Sequence, residues 1–90
     1  MEISYDAEKR SWTLRERGLD FADAVQVFAG TTLTIQDDRR DYGETRFQTM
    51  GRLGDRLVML VWTPRHGAWH IISMRKANDR EQKKFDAQLE

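Results

Sequence analysis

Six consecutive apolar residues, Leu57 to Trp62, constrain this chain more than any other feature. The run is far too short to cross a bilayer, which takes roughly 20 apolar residues. Because it lacks alternation, it reads as a strand covered on both faces and therefore central in its sheet. Pro64, His66 and Gly67 mark a turn after it, and Trp69 to Arg75 returns as the second strand of a hairpin. Upstream, Thr45 to Met50 alternates in polarity and Thr31 to Ile35 is rich in β-branched residues, so both read as strands. Gln36 to Gly43 between them is polar and reads as an exposed connection free to move.

Either side of these strands the period is helical. Glu2 to Tyr5 alternates as a short strand would, and Asp6 then caps a helix from Ala7 to Arg17. Gly18 stops that helix, with Leu19 folding back on Leu14. Asp20 caps a second helix in which Phe21, Ala24, Val25 and Phe28 form one buried stripe, ended by Ala29 and Gly30. Asn78 and Glu81 form a capping-box-like pair at the start of a last helix, whose narrow apolar stripe is Phe85 and Leu89. The remainder of that helix is charged, which suits a surface or a partner. The order is strand, helix, helix, three or four antiparallel strands, helix: an α+β arrangement with helices segregated against one sheet, in a single domain spanning residues 1–90.

Composition narrows the function. Fifteen Lys and Arg balance fifteen Asp and Glu, which removes a uniform attraction for nucleic acid. Eleven of the fifteen cations are nevertheless Arg, whose planar fork suits phosphate and carboxylate, and the segment from Arg52 onward is locally basic. There is no Cys, hence no disulfide framework or thiolate metal site. The polar start, Met1 to Arg10, lacks the apolar run of a signal peptide. A soluble, cytoplasmic protein is expected.

Strict alternation in the last strand puts Trp69, Ile71, Ser73 and Arg75 on one face and His70, Ile72, Met74 and Lys76 on the other. Arg75, after an apolar stretch, must meet an anion, either an internal carboxylate or a ligand phosphate. His66 and His70 flank a turn rather than share a helix face, so no metal site is expected. His70 keeps the one side-chain type that exchanges protons near neutrality. Ser4, Ser11 and Ser73 lie in no nucleophile elbow and no phosphate-cradling Gly loop is present, which argues against acyl transfer and nucleotide cofactors. Trp12, Trp62 and Trp69 could stack on bases but read first as core.

Several segments together carry a resemblance: Tyr5-Asp6 with Lys9, Leu14-Arg15 ahead of Gly18, and Phe21, Ala24 and Phe28. They continue with Glu44 to Phe47 before Gly51, Thr63-x-Arg65, and above all Ile71-Ile72-Ser73-Met74-Arg75-Lys76-Ala77 followed by Glu81. Over nearly its whole length the chain resembles the BrnT family of type II toxins. The resemblance implies a RelE-like fold, two N-terminal helices packed on an antiparallel sheet of three to four strands with a C-terminal helix. It implies an endoribonuclease working without metal or cofactor, neutralised by a ribbon-helix-helix antitoxin, BrnA-like, in a hetero-oligomer. Operator DNA would be contacted only through that antitoxin, in co-repression of the shared operon, and no membrane is involved. Cleavage through the RNA's own 2′-hydroxyl needs a base, an acid and cations around the phosphorane. Arg75 and Arg46 would bind the scissile phosphate with Lys76 assisting, Glu44 or His70 would move protons, and Arg65 and Lys9 would bind substrate. The chain departs from the family in having Glu16-Arg17 where a Lys-His pair is usual, Tyr5 for Trp, Met74 for a small residue and His70 for Arg. The departures motivate an alternative, a catalytically weakened antitoxin-binding module that acts only in autoregulation.

Overall fold

A computed structural model describes residues 2–89. In chain order the elements are β1 (Ile3–Tyr5), α1 (Ala7–Arg17), a 3-10 turn (Phe21–Asp23) leading into α2 (Ala24–Ala29), β2 (Thr32–Asp37), β3 (Arg46–Leu53), β4 (Arg56–Arg65), β5 (Ala68–Lys76) and α3 (Asp79–Leu89). The strands form one sheet in the order β1-β5-β4-β3-β2. The expected RelE-like arrangement, with an antiparallel sheet of three to four strands, is thereby corrected: the sheet has five strands and is mixed. β2 to β5 pair antiparallel, whereas β1 runs parallel to β5 with Ile3, Ser4 and Tyr5 opposite Trp69, His70 and Ile71. A parallel partner needs a long crossover, and here that crossover is most of the chain. No local signal encodes such a pairing.

The helices pack on both faces of this one sheet. Val58, Leu60 and Trp62 of the apolar run pack with Leu19, Phe21, Ala24, Val27, Ile71 and Met74, while Leu57 and Met59 pack with Met50, Ala77 and Phe85 of the α3 side. β4 is therefore central and covered twice, as an unbroken apolar strand should be. α2 comes close to the sheet because Gly51 leaves room: a Cβ there would sit 2.8 Å from Val27 Cγ1. Among the helices α1 is the least buried. Only Thr13 is buried in it, Trp12 and Leu14 are exposed, and it lies along β5. There Arg17 Nη1 donates to the Met74 carbonyl at 3.0 Å, satisfying strand edge that β1 is too short to reach.

Local chemistry sets the helix ends. Asp6 Oδ1 accepts from the Glu8 and Lys9 amides at 2.9 and 3.2 Å, and Gly18 closes α1 at φ +67°. Asn78 and Glu81 exchange reciprocal side-chain-to-amide bonds of 2.8 and 2.9 Å at the start of α3, a complete capping box. The second helix departs from its expected stripe: Val27 is buried and Val25 exposed. Its first turn is a 3-10 turn, and three residues per turn bring Phe21, Ala24 and Val27 into line. The β2–β3 connection is likewise less free than its composition suggests. Asp37 has no exposed side-chain surface and accepts from Arg39 Nε and Nη2 at 2.7 and 2.8 Å. Among the described residues no helix is long and apolar enough to cross a membrane.

Candidate functional site

β5 breaks its own alternation. Val61 pairs with Ser73, but the next residue, Trp62, pairs with Ile71, leaving Ile72 as an extra residue. A β-bulge of this kind re-aims everything beyond it. Trp69, Ile71 and Met74 face the α2 side. His70, Ser73 and Arg75, opposite Thr63, Val61 and Met59, share the other face. This overturns the face assignment from strict alternation, which separates His70 from Arg75. Lys76, opposite Val58, lies on the α2 side, exposed and away from Arg75.

α3 covers one part of the face that carries His70. On the rest, Glu44 gathers two cations: its Oε2 accepts from Arg46 Nε at 3.1 Å and its Oε1 from Arg65 Nη2 at 3.0 Å. Arg46 also lies over the Tyr42 ring at 4.0 Å. The hydrogen bond from Arg65, then that from Arg46, holds the Glu44 carboxyl below its ordinary range. It is a carboxylate at neutral pH, and two guanidinium groups against one carboxylate leave net positive charge.

His70 stands beside this cluster. Its Nδ1 is 2.8 Å from Ser4 Oγ across the β1–β5 pair. Burial pushes its pKa down, Arg65 and Lys9 push the same way, and Glu44 and Asp6 oppose them. The imidazole is therefore neutral at pH 7. When Nδ1 donates to Ser4, Nε2 is left as a free base. The capped first turn of α1 keeps Lys9 within reach of this field.

Arg75 is arranged differently. Its Nη1 and Nη2 donate to Glu81 Oε1 and Oε2, both at 2.8 Å, and Nη1 also reaches the Lys76 carbonyl at 3.3 Å. Glu81 raises the Arg75 pKa, and Arg75 lowers that of Glu81. Arg75 lies five positions beyond His70, about 15 Å along a strand. The expected site residues thus fall into three places: Glu44, Arg46 and Arg65 beside His70, whose field Lys9 also reaches from α1, Arg75 bound to the α3 cap, and Lys76 on the opposite face. His66 occupies the β4–β5 turn at φ +51°, and among the described residues no three His, Asp or Glu side chains gather as metal ligands would. Sequence reasoning weighed Ser4 only as a nucleophile and missed it as the partner of His70. It also missed Tyr42 beneath Arg46. The parallel pairing and the fold of the β2–β3 loop create both contacts, so no local signal could have found them.

Residues 5–81 match the family described as ribonuclease toxin, BrnT, of type II toxin-antitoxin system. The chain belongs to the BrnT family. No curated protein matches it. In this BrnT chain the matched region runs from Tyr5, at the end of β1, to Glu81, the partner of Arg75, and so takes in both groups of site residues on the sheet. Arg17 spends its guanidinium on the edge of β5 and on the Trp12 ring 5.1 Å away.

Proposed function

We propose that this BrnT chain is the toxin of a type II pair, an endoribonuclease that cuts RNA in the cytoplasm by way of the 2′-hydroxyl and without metal. Its inhibitor is a ribbon-helix-helix antitoxin, BrnA-like, bound in a hetero-oligomer that represses the shared operon. One observation carries the reading: a neutral histidine, oriented by Ser4, borders a cluster in which two guanidinium groups share one carboxylate. His70 Nε2 takes the 2′-hydroxyl proton, the 2′-oxygen attacks phosphorus as the bond from phosphorus to the 5′-oxygen breaks, and the 5′-oxygen takes a proton from solvent water, giving a cyclic phosphate and a 5′-hydroxyl end. Arg46 and Arg65 balance the charge of the phosphorane, and Lys9 holds flanking backbone. Glu44 aims the two guanidinium groups and stays ionised, which makes it a poor acid. Arg75 binds a neighbouring phosphate by exchanging Glu81 for it, and Lys76 is left to contacts outside this face.

The alternative, an antitoxin-binding module without catalysis, draws its support from Arg75, whose outward donors are filled by Glu81. Cleavage of RNA in chelator by the wild type and by His70→Asn separates the two. The expected loss in the variant is roughly 10²- to 10⁴-fold, the range for a positioned base, with the fold retained. Equal cleavage by the variant would remove His70 from the mechanism. A folded wild type that binds antitoxin and cuts nothing would establish the module instead.

A further inference from the structure

A recess opens on the His70 face, on the side of β2 and α3. It is a hollow open to solvent, walled by Leu33, Ile35, Met50 and Met59. Thioether side chains are adaptable and polarizable, and suit a flat ring better than rigid walls do. One polar side chain on the sheet enters it: Gln48, half-buried, whose amide makes no hydrogen bond among the described residues. Lys84 stands at the margin in no ion pair among the described residues, beside Glu81, whose carboxylate is taken by Arg75. Gln48 follows Arg46 by two residues on the same face of β3, roughly 7 Å along the strand. The hollow therefore lies beside the Glu44 cluster on the same face of the sheet.

We propose that this hollow is a nucleobase subsite and that Gln48 sets its preference, a reading that rests on the nuclease function above. An amide offers a donor beside an acceptor, the pattern complementary to the N6/N7 edge of adenine. Bases of single-stranded RNA are splayed out and read in this manner, packed against side chains and bonded along an edge. The base inserts among Leu33, Ile35, Met50 and Met59, with Gln48 on its edge. Its phosphates lie toward Arg46 on one side and Lys84 on the other. An apolar side chain of an antitoxin would use neither the amide nor the flanking cations.

The test uses the His70→Asn protein, which leaves the hollow intact, titrated with the four nucleoside 5′-monophosphates and short oligoribonucleotides. The Met50 and Met59 methyl signals report binding by NMR. AMP is expected to shift both signals and to bind roughly tenfold or more tighter than UMP or CMP, as a bidentate contact allows. Gln48→Leu should erase that preference with unchanged thermal unfolding, and Ile35→Glu at the exposed mouth should weaken all four nucleotides. Silent Met50 and Met59 signals, or an adenine preference that survives Gln48→Leu, would overturn the subsite. Signals that move with antitoxin and not with nucleotides would do the same and give the hollow to the antitoxin. RNA cleavage with silent signals defeats the subsite alone, whereas shifts by AMP in a chain whose wild type never cuts RNA defeat the nuclease reading and leave the subsite standing.

Discussion

Two arginine–carboxylate groups on one face of the sheet use the same chemistry to opposite ends. At Glu44 one carboxylate serves two guanidinium groups and has no backbone duty, so positive charge remains for a ligand. At Glu81 one carboxylate meets one guanidinium through both oxygens and also closes the α3 capping box. Its Arg75 is matched and its anion is structural. What makes a cation available is thus the stoichiometry of the pair and the other work of its partner, not the residue type. Of the two groups, the one at Arg75 is the better neutralised.

The largest effects should divide along this line. Arg46→Ala or Arg65→Ala is expected to lower RNA cleavage about 100-fold, as loss of a transition-state charge partner does, and Arg75→Ala less than about tenfold. Single-turnover rates with the opposite ranking would break the comparison. Next, Glu81→Gln should destabilise the fold by about 1 kcal/mol through the weakened cap, with faster hydrogen exchange confined to α3. It should also free Arg75 and tighten RNA binding severalfold. Glu44→Gln should leave α3 exchange untouched and slow cleavage, because the two guanidinium groups lose their aim.

Acidification should act in two steps. His70 titrates below its usual 6.5 because it is buried neutral, so the unfolded chain takes up its proton first. That contribution to stability is complete above 6.5 and declines as pH falls below it. Glu44 and Glu81 titrate below their usual 4.5. Their contributions are complete above that value and are lost as pH falls through the lowered ones. Thermal midpoints against pH should show both steps, the first missing in His70→Asn and the second reduced in Glu81→Gln. The smallest effect is on salt dependence. Arg46→Ala should lower the slope of log Kd for RNA against log salt by about one ion, and Arg75→Ala by less, since its charge is already matched.

Helix ends were legible in the sequence because their chemistry spans at most four residues. Asp6 with Gly18, and Asn78 with Glu81, mark α1 and α3 without reference to the rest of the chain. The central, doubly covered β4 was legible from six apolar residues in a row. The parallel β1, the extra residue Ile72 and the exchange of Val27 for Val25 were not. Each depends on which surface remained to be covered after other elements had packed. The candidate site divides similarly. His70, Glu44, Arg46, Arg65 and Lys9 could be named from residue type and resemblance, but which of them stand together could not.

By itself, the sequence determined where helices begin and end, which strand lies in the middle, and that arginine would supply the positive charge. Those properties follow from backbone capping and hydrophobic period, which act between near neighbours. Only the tertiary structure decided that Ser4 meets His70 across 66 residues, that a bulge turns Arg75 to the His70 face, and that Glu81 is its partner. Such pairings arise from competition among all exposed edges and charges of the folding chain, and no short segment carries the result of that competition.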